Sequence, residues 1–275
     1  MKDIQSCAVL DNGVKMPWLG FGVYKLEEGK AVEKAVYKAL ETGYRAIDTA
    51  SYYQNEKGIG KGIKNSGLLR EDLFITSKVW NSDQGYESTL KAFERSRRNL
   101  GLDYLDLYLV HWPVPGKYIE TWRALEKLYQ EGYVRAIGVS NFSIENLQDL
   151  MAHSSYKPLV NQIECHPLLT QNKILSFCQN NNIQVEAWSP LMKGNLDIKE
   201  IIEIGEKYNK TPAQVVLRWH LQREVIAIPK SGTPKRIEEN ADIFDFELSQ
   251  VDMDIINSLN KDQRFGPGPD NFHLL

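Results

Sequence analysis

Residues 105–140 hold a strand-like run, Leu-Asp-Leu-Tyr-Leu-Val-His (105–111), then a helical run, Ile-Glu-Thr-Trp-Arg-Ala-Leu-Glu-Lys-Leu-Tyr-Gln-Glu (119–131). Gly132 and a second strand-like run, Val-Arg-Ala-Ile-Gly-Val-Ser (134–140), follow. The outer runs are rich in apolar and β-branched residues, whereas Trp122, Leu125, Leu128 and Tyr129 recur at helical spacing. Strand, helix and strand in this order predict two parallel strands joined by a crossover helix.

The same unit repeats in both directions. Val32, Ala35, Val36, Ala39 and Leu40 line one face of a helix over 30–42 that stops at Gly43, and Leu90, Phe93 and Leu100 mark another over 88–100 that stops at Gly101. Further β-rich runs lie at 19–23, 45–48, 73–78, 159–164, 184–188 and 225–230. Together with the two above they make eight, which predicts a (β/α)8 TIM barrel. Periodicity alone leaves a doubly wound open sheet as the alternative. Short runs at 6–10 and 14–17 around Asp11-Asn12-Gly13 predict a β-hairpin, because Asn-Gly suits a turn with positive φ, and its place before the first strand suits a cover for the barrel's bottom.

The chain has 275 residues, which at roughly 150 per domain allows one or two domains. No Pro/Ser/Gly-rich linker divides it, so a single domain over 1–275 is expected. Lys and Arg number 33 against 36 Asp and Glu, a net charge of −3 that lacks the positive field required by a nucleic-acid backbone. A local basic turn at Lys230, Lys235 and Arg236 still suits one small anion. No secretory leader and no apolar run long enough to span a bilayer are present, and Cys7, Cys165 and Cys178 form no C-x-x-C pair. A cytoplasmic monomer with no membrane or nucleic-acid partner is expected.

A barrel of this kind builds its active site at the C-terminal ends of its strands. Those ends carry Asp48, Lys78, His111, Ser140 with Asn141, Gln162 with Glu164, Trp188, and Lys230 with Ser231. Singly each has an ordinary structural explanation, but together they place seven polar or aromatic ends on one rim. The glycine-rich Gly58-Ile59-Gly60-Lys61-Gly62 follows no strand directly and lacks the G-x-G-x-x-G spacing, so it reads as a helix rather than a dinucleotide fingerprint. No H-E-x-x-H or clustered Cys/His set appears, and no metal is expected.

Six motifs fall in order along the chain: Asp48-Thr49-Ala50-Ser51-Tyr52-Tyr53-Gln54-Asn55-Glu56, Ile75-Thr76-Ser77-Lys78, Leu109-Val110-His111-Trp112-Pro113, Gly138-Val139-Ser140-Asn141-Phe142, Asn161-Gln162-Ile163-Glu164, and Ile228-Pro229-Lys230-Ser231 ahead of Arg236. On these motifs the sequence resembles the aldo-keto reductases over essentially its whole length, most closely the short bacterial diketogluconate and glyoxal reductases. The resemblance implies NADPH-dependent reduction of aldehydes or ketones, with small aldehydes, α-dicarbonyls or keto sugars as substrates.

It further implies a role for each matching residue. Tyr53, five residues beyond Asp48, would be the general acid in preference to Tyr52. Lys78, paired to Asp48, would lower the phenol's pKa, and His111 would hydrogen-bond the substrate oxygen. Ser140, Asn141 and Gln162 would bind the nicotinamide carboxamide and Trp188, in place of the family's common tyrosine, would stack on the ring. Gly22 and Val23 would border the nicotinamide, with Ser189 and Leu191 beside the pyrophosphate. Lys230, Ser231 and Arg236 would hold the adenosine 2′-phosphate, with Glu239 and Asn240 near the adenine. Tyr24, Trp80, His111 and Trp112 would wall the substrate pocket. The short segment Met192–Leu196 and the short tail after Arg264 suggest an open, permissive site. The competing class is a non-catalytic NADP(H)-binding sensor or regulatory subunit on the same fold; the presence of Asp48, Tyr53, Lys78 and His111 favours the enzyme.

Overall fold

The computed structural model describes residues 1–269; residues 270–275, the end of the expected domain, lie outside the described residues. A hairpin of β1 (Cys7–Val9) and β2 (Lys15–Pro17) opens the chain. Then come β3 (Gly20–Gly22), α1 (Lys30–Thr42), β4 (Ala46–Asp48), α2 (Glu56–Ser66), β5 (Phe74–Val79), α3 (Tyr86–Leu100), β6 (Leu105–Val110), α4 (Tyr118–Gln130) and β7 (Val134–Ser140). The second half continues with α5 (Ile144–Ala152), β8 (Val160–Glu164), α6 (Asn172–Asn180), β9 (Gln184–Trp188), α7 (Lys199–Tyr208), α8 (Pro212–Gln222), β10 (Ile226–Ala227), α9 (Pro234–Ala241) and α10 (Gln250–Ser258).

Strands β3 to β10 are parallel neighbours in chain order. Single bridges at Leu19–Ala227 and Gly22–Lys230 bring the last strand back to the first. This closure makes the fold a (β/α)8 TIM barrel and removes the open-sheet alternative. The last strand is shorter than the run at 225–230 because Pro229 has no N–H for the ladder. Its carbonyl still accepts from the Gly22 N–H at 3.1 Å.

Alternation along the strands divides the core in two. Outward residues such as Phe21, Ile47, Ile75, Tyr108, Ile137 and Val185 pack under Val36, Ala39, Phe93, Trp122, Leu125 and Leu175 of the helices. Inside the lower barrel, Ala46, Phe74, Leu107, Ala136, Val160 and Ile226 meet Ala8, Leu10 and Met16 of the hairpin region. Full burial of each Val, Leu, Ile, Phe or Met side chain among these contributes about 1.5–3 kcal/mol. The hairpin thus plugs the barrel's bottom, as its sequence position suggests.

Its turn differs from the expected Asn-Gly pair of positive φ angles: only Gly13 is positive, at 83°. The Gly13 N–H donates to the Leu10 carbonyl and Leu10 pairs with Val14 through a 2.9 Å bond, a three-residue loop ending in a left-handed glycine. The glycine-rich run at 58–62 lies within helix α2. A Cβ at Gly60 would come within 2.2 Å of the Leu100 carbonyl oxygen, so this glycine lets α2 approach the end of α3.

Candidate active site

Further along the strands, two or four positions beyond the apolar interior residues, the same alternation turns polar side chains into the barrel. Lys78 Nζ lies 2.7 Å from Asp48 Oδ1 and 2.8 Å from the Thr49 carbonyl, and both side chains are buried. The Gln162 amide nitrogen donates to Asp48 Oδ2 at 2.8 Å and to Glu186 Oε2 at 2.5 Å. One cation and two carboxyl groups therefore share the floor of the site.

Tyr53 stands above this floor on the 3-10 turn Ser51–Tyr53 that follows β4. Buried bonds made by the surrounding motif fix the turn. Thr49 Oγ1 donates to Asn55 Oδ1, and Asn55 Nδ2 donates to the carbonyls of Val23 and Leu26. Ser51 Oγ donates to the Lys78 carbonyl, and Glu56 accepts from Ser77 Oγ at 2.8 Å. The Tyr53 ring centre lies 5.2 Å from Lys78 Nζ, 5.8 Å from the His111 ring and 4.9 Å from Tyr24. Trp80 packs 5.0 Å from His111, and Trp112 lies 6.5 Å from it.

The electrostatics separate the titratable groups. Burial opposes the charge of Lys78, but Asp48 and Tyr53 outweigh it and hold the ammonium above its ordinary pKa. Burial pushes the Tyr53 phenol up to about 12, with the Lys78 ammonium pulling the other way. The expected lowering of the phenol is therefore present as a contribution and is exceeded by desolvation. His111 is driven well below its usual value, first by burial and then by Lys78, so its imidazole is neutral near pH 7.

Across the same rim, Ser140, Asn141, Gln162 and Trp188 come together and are largely bonded to one another. Ser140 Oγ donates to the Gln162 carbonyl, Asn141 Nδ2 donates to the His111 carbonyl and Ser140 Oγ, and Trp188 Nε1 donates to Asn141 Oδ1 at 2.8 Å. Both N–H groups of the Gln162 amide are turned to carboxyls, and its oxygen accepts no hydrogen bond among the described residues. Gly22 and Val23 sit at the same mouth, the Val23 N–H donating to the Asp48 carbonyl at 3.2 Å. Ser189 adopts a left-handed φ of 49° and its carbonyl accepts from the Met192 N–H; Leu191 is half-buried.

Lys230 and Arg236 are exposed and make no ion pair among the described residues. Ser231 Oγ accepts from the Thr233 N–H at the entry to α9, and Asn240 is buried on that helix. Glu239 is turned onto Thr211, whose hydroxyl donates to it at 2.8 Å. Among the described residues no group of three or more His, Cys, Asp or Glu is placed to hold a metal ion, and no helix is long and apolar enough to cross a membrane.

Three features were not singled out by sequence reasoning. Glu186 reads there as one polar residue in a β run, and only closure of the barrel buries it. Tyr52, weighed only as a rival acid, stacks on Trp80 at 3.8 Å and extends the aromatic wall. Glu164, noted as a strand end, holds the tail: its Oε1 accepts the N–H groups of Phe265 at 2.7 Å and Gly266 at 3.0 Å, with Arg264 at 3.5 Å. Gly266 then lies so close to Trp188 that a Cβ there would sit 2.3 Å from the indole edge.

A closed parallel barrel with a buried Lys–Asp pair beneath a tyrosine and beside a neutral histidine defines a class of oxidoreductase. The sequence model described as the aldo/keto reductase family matches residues 19–261, and the chain belongs to that family. It is 60% identical over 262 residues to a glyoxal reductase of Bacillus subtilis, covering 95% of each chain. It is 46% identical over 268 residues to the methylglyoxal reductase DkgA of Escherichia coli K12, covering 96% of each. Among solved structures, a Bombyx mori aldo-keto reductase in complex with NADP superimposes with a TM-score of 0.90 at 36% identity, covering 96% of each chain.

Proposed function

We propose that the protein is an NADPH-dependent reductase of small aldehydes, α-dicarbonyls or keto sugars, acting as a cytoplasmic monomer, with Tyr53 as the proton donor. The observation that carries this reading is the placement of Tyr53 between the buried Lys78–Asp48 pair and the neutral His111.

The donor set suits NADPH. Exposed Lys230 and Arg236 beside the Ser231 hydroxyl supply two cations for a phosphate, a reward that a cofactor lacking the 2′-phosphate does not collect. The Gln162 oxygen is an acceptor for the carboxamide, and the Trp188 indole, held at one end by Asn141 and at the other by Gly266, is a fixed surface for the nicotinamide. Bound there, NADPH supplies the hydride that adds to the carbonyl carbon.

The chain's own residues manage the oxygen. His111, uncharged, orients it by hydrogen bonding, and Tyr53 Oη transfers its proton to it. The phenolate left behind is stabilised by the Lys78 ammonium, which Asp48 keeps charged. A phenol of pKa about 12 holds its proton at neutral pH, so the acid is present in the form that the reaction consumes. Tyr24, Tyr52, Trp80 and Trp112 form an aromatic wall that selects by shape more than by specific polar contacts.

The test is loss of NADPH absorbance with methylglyoxal, glyoxal, nitrobenzaldehyde and diketogluconate. Turnover of at least one is expected. Tight NADPH binding with no turnover of any would instead support the sensor or regulatory class.

A further inference from the structure

Glu186 is a carboxyl group inside the barrel, 1% exposed, for which the mechanism above has no use. It lies on β9 beside Gln162 of β8, and Ile226 of β10 is its other strand neighbour. The charged groups facing it are Asp48 from β4 and Lys78 from β5, and the apolar residues of the lower barrel close it off from below. Its one hydrogen bond among the described residues is the 2.5 Å contact from the Gln162 amide nitrogen, whose second N–H goes to Asp48.

An amide has two distinguishable ends. Rotated by half a turn, Gln162 would aim its oxygen at the Asp48 carboxylate, which is paired with Lys78 and has no proton to share whether or not Glu186 carries one. Asp48 alone can hold one N–H, and the second carboxyl engages the other N–H and fixes the plane of the group. We propose that Glu186 is a positioning residue, locking the Gln162 amide so that its oxygen faces the site mouth as acceptor for the nicotinamide carboxamide. The inference rests on the NADPH reading above.

Glu186 also gives the site a charge that changes with pH. Burial, reinforced by Asp48, pushes this carboxyl up to about 8, while Gln162 and Lys78 pull it down. Below that pH it carries a proton, and the floor holds one cation against one anion. Above it a second negative charge faces Lys78 and competes for the ammonium on which the Tyr53 phenolate depends, so turnover falls.

The experiment compares wild type, Glu186→Gln and Glu186→Leu after thermal melts show which variants are folded. NADPH affinity is read by fluorescence, and kcat is followed across the alkaline range. Glu186→Leu is expected to weaken NADPH binding by about tenfold, the order of one lost buried hydrogen bond. Glu186→Gln retains an acceptor oxygen and is expected to bind as wild type does, while its kcat no longer falls between pH 7 and 9. Two results overturn the inference alone: a folded Glu186→Leu protein with wild-type NADPH affinity, or a Glu186→Gln protein that keeps the alkaline fall. Should Glu186→Leu not fold, the Glu186→Gln pH profile decides. A wild-type protein that does not bind NADPH overturns the proposed function and this inference with it.

Discussion

Lys78 and Asp48 face one another at 2.7 Å inside the barrel, with the lysine side chain wholly shielded from solvent. Removing one partner of such a pair leaves the other buried and uncompensated, at a cost of about 3–5 kcal/mol. Lys78→Met is therefore expected to lower the melting temperature and abolish turnover together. Asp48→Asn leaves the ammonium an acceptor but no counter-charge and is also expected to melt well below wild type. Melting curves measure both variants, and an Asp48→Asn protein that melts as wild type does would count against an ionic role for the pair.

Tyr53→Phe removes the proposed proton donor and keeps the ring that packs on Tyr24 and His111. Turnover is expected to drop by about 10²–10⁴-fold with NADPH affinity unchanged. A turnover near that of wild type would remove Tyr53 from the mechanism.

Lys230 and Arg236 are free cations in the described structure, so their substitution should leave stability almost untouched. Lys230→Ala and Arg236→Ala are each expected to weaken NADPH binding by roughly tenfold, as loss of a charge-assisted bond does, and to leave NADH affinity as it was. Titration of both cofactors against the double variant checks the selectivity; a retained preference for NADPH would place the phosphate elsewhere.

His111 and His220 are both driven well below the usual imidazole range, by burial first and then by nearby cations. The folded state then binds fewer protons than the unfolded chain below about pH 6.5. Their contribution to stability is full above that pH and declines as the pH falls through it. Melting temperature should decrease from pH 7 to 5, and Leu in place of His220 should flatten that decrease.

Burial opposes the charge of Glu164, yet His166 and the N–H groups of Phe265 and Gly266 hold its carboxyl below the ordinary value. Its contribution is present above about pH 4.3 and is lost as pH falls through the lowered folded value. Glu164→Gln should free residues 264–269, read as faster proteolysis of the tail with the barrel intact. Gly266→Ala, which forces the Trp188 ring to shift, is expected to cost about 1–3 kcal/mol and to change tryptophan fluorescence.

Much of this arrangement is legible along the chain because it is local. Helices α1 and α3 end at Gly43 and Gly101 as their patterns say, and the strand runs match the observed strands within a residue or two except beside Pro229. Asp48, Tyr53, Lys78 and His111 converge because strand ends must share a rim, a rule that needs only the order of elements. Contacts set by distant parts of the chain are not legible. Glu164 meets Phe265 across 101 positions, and Glu186 acquires its significance from Asp48 on a strand that only closure brings opposite. The hairpin loop is the Asp11-Asn12-Gly13 that the sequence marks, but its positive φ falls on Gly13 alone and Asn12 does not share it.

The barrel's two ends of chain are joined by little: Leu19 meets Ala227 and Gly22 meets Lys230 as isolated bridges, where the other strand pairs share ladders of two to five residues. This seam is the one join made without consecutive paired residues, and the amides of residues 18–22 are expected to exchange with solvent before those of the central strands. Gly22 and Lys230 stand on opposite sides of it. A nucleotide gripped by both would act as a clasp across the seam, making the cylinder's integrity depend on the molecule it holds.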